Sequence, residues 1–569
     1  MSATEEQHEA ELRPNGRSAG KAIRGGSALL WAATLTAAAL LSVMNLWRGA
    51  LNQDEGWYLY AARLVAEGRH PYVDFATTQG PVMPHVYALA NPLIARWGVA
   101  GGRAFTAVLG LLAAATASLL AWRIAPPNRR DSAAFLAFAL AAVNVYQSYF
   151  TTIVKTYALA GLFLTAAFAL LSCWPLRRGR MAAFGAGILL ALAAGTRLSA
   201  GAALPAAGAA LVWAAFRARG RALTKSPAFH AALALGAGFA LAALALFLPF
   251  ALRAPQALWF ALAEYHAGRQ AGGGLVALAY KAGFASRVVQ AYFVALALGA
   301  AAIVWGWRTR RNRPAGLPED HAESEPAARH AVALAIVAIT VLHAAAPFPY
   351  DDYQAMAFPL LAAWVACALV RAMAVGGTAA APAAELKLRA FVLALCLASS
   401  FSSPINQDWF LARRDRIWWP LRTETPLRRL RNAGRLVRSL AAARPGETLL
   451  TQDPYLAVES GLRLPDGMAL GPFCYFPDWP REKAERRHVL NRDMLLETIA
   501  SGQAPVAAFS GYGLAIRAPD IAPLSEAEQA ELQAAVRRVY RLAAVVNDFG
   551  QADTVLRIYV RRDDADKRP

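Results

Sequence analysis

Charge is scarce in this chain, and cysteine scarcer. Asp, Glu, Lys and Arg make up 17% of 569 residues, against 57% apolar ones. A soluble protein of this length needs more polar surface than that, so an ordinary globular class is excluded. Four cysteines (Cys173, Cys367, Cys396 and Cys474) form no CxxC and no pair that suggests a disulfide, which removes a zinc framework and a disulfide scaffold. No Gly-rich loop leads from a strand into a helix, and no sustained internal repeat is present. These absences argue against a phosphate-cradling nucleotide site and against an inverted-repeat transporter.

What is abundant is long apolar sequence, and mean hydropathy is positive. Eleven stretches read as membrane spans: about 27–47, 101–122, 132–150, 154–174, 181–196, 199–216, 229–250, 286–306, 330–346, 354–374 and 388–402. The first is no cleaved signal, because Asn45 and Trp47 follow its apolar run instead of a small-residue cleavage site. The net charge of +20 does not mark a nucleic-acid binder, because many arginines sit in short loops on one side of the predicted membrane. Arg129 and Arg130, Arg177 and Arg178, Arg217 and Arg219, and Arg310 and Arg311 show the positive-inside pattern. That pattern puts the N-terminus in the cytoplasm and the loop after the first span outside. The tail beyond residue 402 is also rich in arginine, but long domains cross largely regardless of charge. Leu427, Leu430, Leu436, Val437 and Leu440 recur at helical spacing there, predicting an amphipathic helix over 426–443 lying on anionic lipid.

The expected architecture is an α-helical polytopic membrane protein of about eleven transmembrane helices with a C-terminal soluble α/β domain. Residues 1–26 read as a cytoplasmic disordered tail, 27–402 as the membrane domain, and 403–569 as the α/β domain. Two external loops are long, 48–100 and 252–285. Strands are predicted near 447–451, 505–509 and 554–560, with a helix over 524–540.

The first long loop carries Asn52-Gln53-Asp54-Glu55-Gly56-Trp57-Tyr58, then Gly68-Arg69-His70-Pro71-Tyr72-Val73-Asp74 and Thr78-Gln79-Gly80-Pro81. Carboxylates at a membrane surface are costly, which favours a functional reading. Adjacent helical residues do not share a face, so Asp54 and Glu55 do not form a carboxylate dyad. Asp54 also reads plainly as a helix cap. Lys155 reads either as a snorkelling lysine or as a phosphate contact. Arg197, in a very short turn between Ala-rich spans, points to a cavity. His266 and Arg269 share a helix side and could clamp a phosphate, although an interfacial histidine is the plain alternative for His266. Asp351 and Asp352 read equally as a solvated turn or as groups that steer an acceptor or hold a cation. Tyr58, Asp74, Gln79 and His85 are candidates for cavity lining.

The first-loop pattern resembles that of bacterial multispanning glycosyltransferases of the C superfamily (GT-C), relatives of protein O-mannosyltransferases and of the lipid A aminoarabinose transferase. Gly195-Thr196-Arg197, Tyr265-His266-x-x-Arg269 and Tyr353–Pro359 extend the similarity, as does Thr448–Leu462 in the tail. The resemblance implies an inner-membrane enzyme of the cell envelope. It would take a sugar from a polyprenyl phosphate and pass it to a lipid, glycan or protein acceptor on the periplasmic face, with inversion. It implies Asp54 as general base with Glu55 orienting the site, and Lys155, Arg197, His266 and Arg269 around the donor phosphate. No cofactor is certain on this reading, and a divalent cation stays open. Membrane lipids are expected partners and nucleic acid is not. The rival class is a transporter or lipid flippase, which needs ionisable groups near mid-membrane. Here they stand at the outer ends of spans.

Overall fold

The computed structural model describes residues 15–173, 178–217, 223–268, 273–311, 327–375, 382–406, 423–444, 446–511, 513–518, 522–551 and 553–562. Arg269 lies outside them.

Among the described residues, seven helices are long and apolar enough to cross a membrane: Gly25–Arg48, Val99–Ile124, Gly179–Thr196, Leu198–Arg217, Pro227–Arg253, Gly274–Thr309 and Ala327–Ala345. Tyr157–Leu171 and Phe358–Met373 are shorter apolar helices. The chain is a membrane protein. The stretch read as a span over 132–150 breaks into helices Arg130–Ala142 and Val145–Phe150. The first helix ends at Val143, which leaves helical geometry, and the extended Asn144 starts the second, its side chain capping Gln147 N. The loop expected over 252–285 is shorter than predicted. The helix Gly274–Arg311 starts inside it and kinks at Tyr292.

The bundle core is built from alanine. Ala113, Ala117, Ala121, Ala133, Ala139, Ala160, Ala186, Ala207, Ala331 and Ala363 are buried, with Phe135, Phe168 and Tyr292 filling the wider gaps. Small residues let helix backbones approach where lipid provides no hydrophobic drive. Gly187 and Gly238 show this directly: a Cβ on either would stand 2.1 Å from a carbonyl oxygen, of Leu235 and Phe184 respectively.

The tail forms a four-stranded mixed sheet. Leu449–Thr451 pairs in parallel with Val506–Phe509, which pairs antiparallel with Thr554–Arg561, itself paired with Tyr540–Phe549. The strand Tyr540–Phe549 follows directly on the helix Glu526–Val539 and was not foreseen. Its exposed apolar residues, Leu542 and Val545 among them, and the run of exposed residues at 541–543 hide the strand alternation.

The tail is no detached module. Tyr58, Leu59, Tyr60 and Leu64 of the first loop share one core with Leu427, Leu430, Leu449, Tyr455 and Val506 of the tail. Nor does the helix Pro426–Ala442 lay its apolar face on lipid. Leu427, Leu430, Ala433, Val437 and Ala441 are buried in that shared core. Burial against the sheet removes these side chains from water without needing a membrane.

Candidate functional site

The site grows from the helix Gln53–Ala66. Asn52 is its N-cap, accepting from Asp54 N at 3.1 Å, while Glu55 reaches back to Asn52 N at 3.0 Å. This capping box satisfies the orphan donors of the first turn. Asp54 is therefore not the cap, and its carboxylate is free to point elsewhere.

Glu55 turns inward to Arg103. The guanidinium makes two bonds to the carboxylate, 2.6 and 2.7 Å, and both side chains are fully buried. Arg103 also donates to the carbonyls of Leu46, Gly49 and Ala50. Glu55 accepts as well from Val154 N at 3.2 Å. This carboxylate clamps the end of the first span to the loop. Through the capping box and this pair Glu55 fixes the start of the helix that carries Asp54. Arg103 was missed in the sequence, although an arginine at the head of an apolar span was a visible signal.

Asp54 faces Lys155, whose Nζ stands 3.2 Å from Asp54 Oδ2 and 2.7 Å from Asp352 Oδ2. Asp352 also accepts from Tyr157 Oη at 2.9 Å. Lys155 lies in the turn before the helix Tyr157–Leu171, and Asp352 in the 3-10 turn Asp351–Met356. The three side chains differ in access. Asp54 is 30% exposed, against 9% for Lys155 and 12% for Asp352. Burial opposes a charged amine, but Asp352, with Tyr157 and Asp54, overcomes it and raises the Lys155 pKa well above the ordinary value. Two carboxylates thus share one cation, and the trio keeps a net negative charge.

Arg197 fills the one-residue break between the helix Gly179–Thr196 and the turn Leu198–Ala202. Its guanidinium lies over the rings of Tyr157 at 4.9 Å and Tyr353 at 4.3 Å. One nitrogen donates to Thr156 Oγ1 at 3.2 Å, while Nε is buried without a partner. Tyr58, one turn after Asp54, belongs to the same group. Burial, then the charge of Asp54, pushes its phenol above the ordinary range, with Arg197 and Lys155 pulling the other way.

Asp351 is not solvated either: it pairs with Arg287 at 2.9 Å and accepts from Tyr146 Oη at 2.6 Å. Arg287 was not foreseen. Close by in the fold, His343 bonds Ser199 Oγ at 2.9 Å and Gln354 at 3.2 Å.

The other candidates serve the loop. Asp74 accepts from His70 N at 2.6 Å and closes a tight turn. His85 is exposed and bonds back to Pro81 O at 2.7 Å. The Gln79 carbonyl accepts from Tyr72 Oη at 2.5 Å. A Cβ on Gly80 would stand 2.1 Å from Gly195 O, so this segment packs directly beside the turn that carries Arg197. His266 contacts Thr78 O at 2.9 Å. Its neighbour Glu264 is taken by Lys483 at 3.0 Å and Arg487 at 2.9 Å of the tail. Burial works against the charged carboxylate there, but those two cations win and lower its pKa. Glu264 is thus unsuited to join His266 on a metal ion. Among the described residues no group of three or more His, Cys, Asp or Glu could hold one.

The ionisable groups gather where helices 157–171 and 358–375 begin and 179–196 and 327–345 end, all at the end of the bundle beneath the tail. This helical bundle with a docked mixed-sheet tail shares its fold with solved structures of ArnT and of an archaeal oligosaccharyltransferase. ArnT from Cupriavidus metallidurans in the apo state matches over 93% of this chain and 98% of its own, at 14% identity and TM-score 0.59. The same protein bound to undecaprenyl phosphate matches over 94% and 98%, at 13% identity and TM-score 0.55. The Archaeoglobus fulgidus oligosaccharyltransferase in complex with Zn and sulfate matches over 90% of this chain and 72% of its own, at 14% identity and TM-score 0.50. At these identities the likeness shows the fold. No family model matches the sequence, and no curated protein matches it.

Proposed function

We propose that the chain is an inner-membrane glycosyltransferase. It takes a sugar from a polyprenyl-phosphate carrier and transfers it, with inversion, to an acceptor on the periplasmic face. The observation that carries this reading is the pairing of a half-open carboxylate, Asp54, with an arginine that keeps an unspent donor, Arg197, at one end of the bundle.

The acceptor hydroxyl attacks the anomeric carbon as the bond from that carbon to the phosphate oxygen breaks. Asp54 takes the hydroxyl proton. The bonding pair leaves with the phosphate, which needs positive charge and no proton. Arg197 supplies that charge, and its planar fork suits a phosphate. Lys155 touches Asp54 and not open space, so its part is to fix the base in place. Asp352 holds Lys155 in turn. Tyr58 lines the acceptor side, and His266 borders the donor from the second loop. A divalent cation between Asp54 and Asp352 would have to displace the Lys155 amine, so transfer is expected to survive chelation. The ArnT structure with undecaprenyl phosphate supports a polyprenyl-phosphate donor, since that fold accommodates the carrier. A reaction at one face also fits the absence of an internal repeat better than transport does.

The test is binding of undecaprenyl phosphate to the purified full chain, with and without Arg197→Ala. The expected result is saturable binding weakened at least about tenfold, which is a loss of ~1.4 kcal/mol. Equal affinity in both proteins would remove Arg197 from the phosphate.

A further inference from the structure

The helix Pro426–Ala442 buries its leucines and turns arginine outward. Arg428 and Arg435 are exposed and Arg431 is half-buried. With Thr425, Asn432 and Trp47 they line a cavity of about 310 Å³. Trp47 ends the first span, Gly25–Arg48, and is 45% exposed. Trp97, 46% exposed, borders the same region, its carbonyl accepting from Arg431 at 3.1 Å. Tryptophans at a span end mark the membrane–water interface, so the cavity opens at headgroup level.

The charge balance there is one-sided. Among the described residues neither the Arg428 nor the Arg435 guanidinium makes a hydrogen bond or an ion pair. The nearby carboxylates are committed. Glu424 holds Asn432 at 2.7 Å and Arg429 at 3.3 Å, and Glu459 accepts from Val99 N at 2.8 Å. Among the described residues the cavity lining holds three arginines and no carboxylate, and Glu459 behind it is the anion that Arg431 and Arg435 feel, so the guanidiniums are in excess. Its size sits at the low end for a ligand site, ~300–1,000 Å³, which suits a headgroup and not a whole lipid.

We propose that this cavity binds the phosphodiester headgroup of an anionic glycerophospholipid from the leaflet facing the tail. Arg428 and Arg435 fork the phosphate oxygens, and Trp47 packs on the glycerol region. The bound lipid ties the tail helix to the end of the first span, whose Leu46 and Gly49 carbonyls Arg103 already holds. The binding does not depend on sugar transfer, and its test uses no donor.

The test measures binding of fluorescent phosphatidylglycerol and phosphatidylcholine to the full chain in neutral detergent. Phosphatidylglycerol should bind at least about tenfold tighter. R428Q/R435Q should erase most of that preference, while R541Q/R557Q on the tail sheet should leave it intact. R435K, which keeps the charge but loses the fork, should fall between wild type and the double variant, and it tests the site even if the double variant fails to fold. Equal losses in both double variants would mean diffuse charge attraction and overturn the site. Displacement of phosphatidylglycerol by millimolar inorganic phosphate would assign the cavity to a free phosphate instead and overturn the lipid.

Discussion

Lys155 Nζ bridges two carboxylates, 2.7 Å from Asp352 and 3.2 Å from Asp54, and the Asp54 end is the more exposed, at 30% against 12%. Removing the lysine strands Asp352 in a buried setting. Breaking such a pair costs about 3–5 kcal/mol. Lys155→Met should therefore lower the melting temperature sharply. Lys155→Met with Asp352→Asn should recover most of the stability and none of the turnover. Recovery of both would show that Lys155 serves folding alone.

The two adjacent acids should separate cleanly in their variants. Glu55→Gln leaves the Arg103 charge buried without its partner, and a loss of roughly 3–5 kcal/mol is expected. Thermal melts in detergent read this directly. Arg103 also serves four carbonyls, so Glu55→Leu with Arg103→Met should recover stability only in part.

Gly56 meets the tail backbone. A Cβ there would stand 2.3 Å from Tyr455 N. Gly56→Ala should loosen the tail, seen as faster tryptic cleavage within residues 423–562. Gly236→Ala, with nothing within 4 Å of the new Cβ, should leave that rate unchanged. Equal rates in the two variants would mean the tail docks without this contact.

Asp453 gives the tail a pH dependence. Burial pushes its carboxyl up to about 6, against its bonds from Ser510 Oγ at 2.9 Å and Tyr455 Oη at 3.0 Å. A raised folded pKa means that the folded tail holds the proton more tightly than the unfolded chain. Stability is fully present below the unfolded value, near 4, and falls as pH rises through about 6. The drop should be roughly 2–3 kcal/mol, from 1.36 kcal/mol per unit. Asp453→Asn keeps an oxygen for both donors and should flatten the profile in chemical denaturation followed at pH 4.5 and 7.5. An unchanged slope in that variant would assign the dependence to another group.

The membrane class, the fold and the residues around Asp54 were legible because apolar length and first-loop chemistry are local signals. Which acid does what was not. Asp54 and Glu55 look alike in sequence, and only the Asn52 cap and the distant Arg103 separate them. Asp351 and Asp352 read equally well as a solvated turn because their partners, Arg287 and Lys155, lie 64 and 197 positions away. The apolar face of the 426–442 helix was legible, but periodicity cannot tell a protein core from a membrane surface. The break at Asn144 hid inside an apolar run long enough to pass as a span.

The role of Asp54 as the base is tested most directly by Asp54→Asn in the purified full chain, with turnover of a polyprenyl-phosphate sugar and undecaprenyl phosphate affinity measured on the same preparation. Folding and carrier affinity should stay within a factor of about two, while turnover falls at least ~10²-fold, the lower range for a lost general base. Near-normal turnover by the well-folded variant would contradict the assignment and leave Asp54 as a structural partner of Lys155.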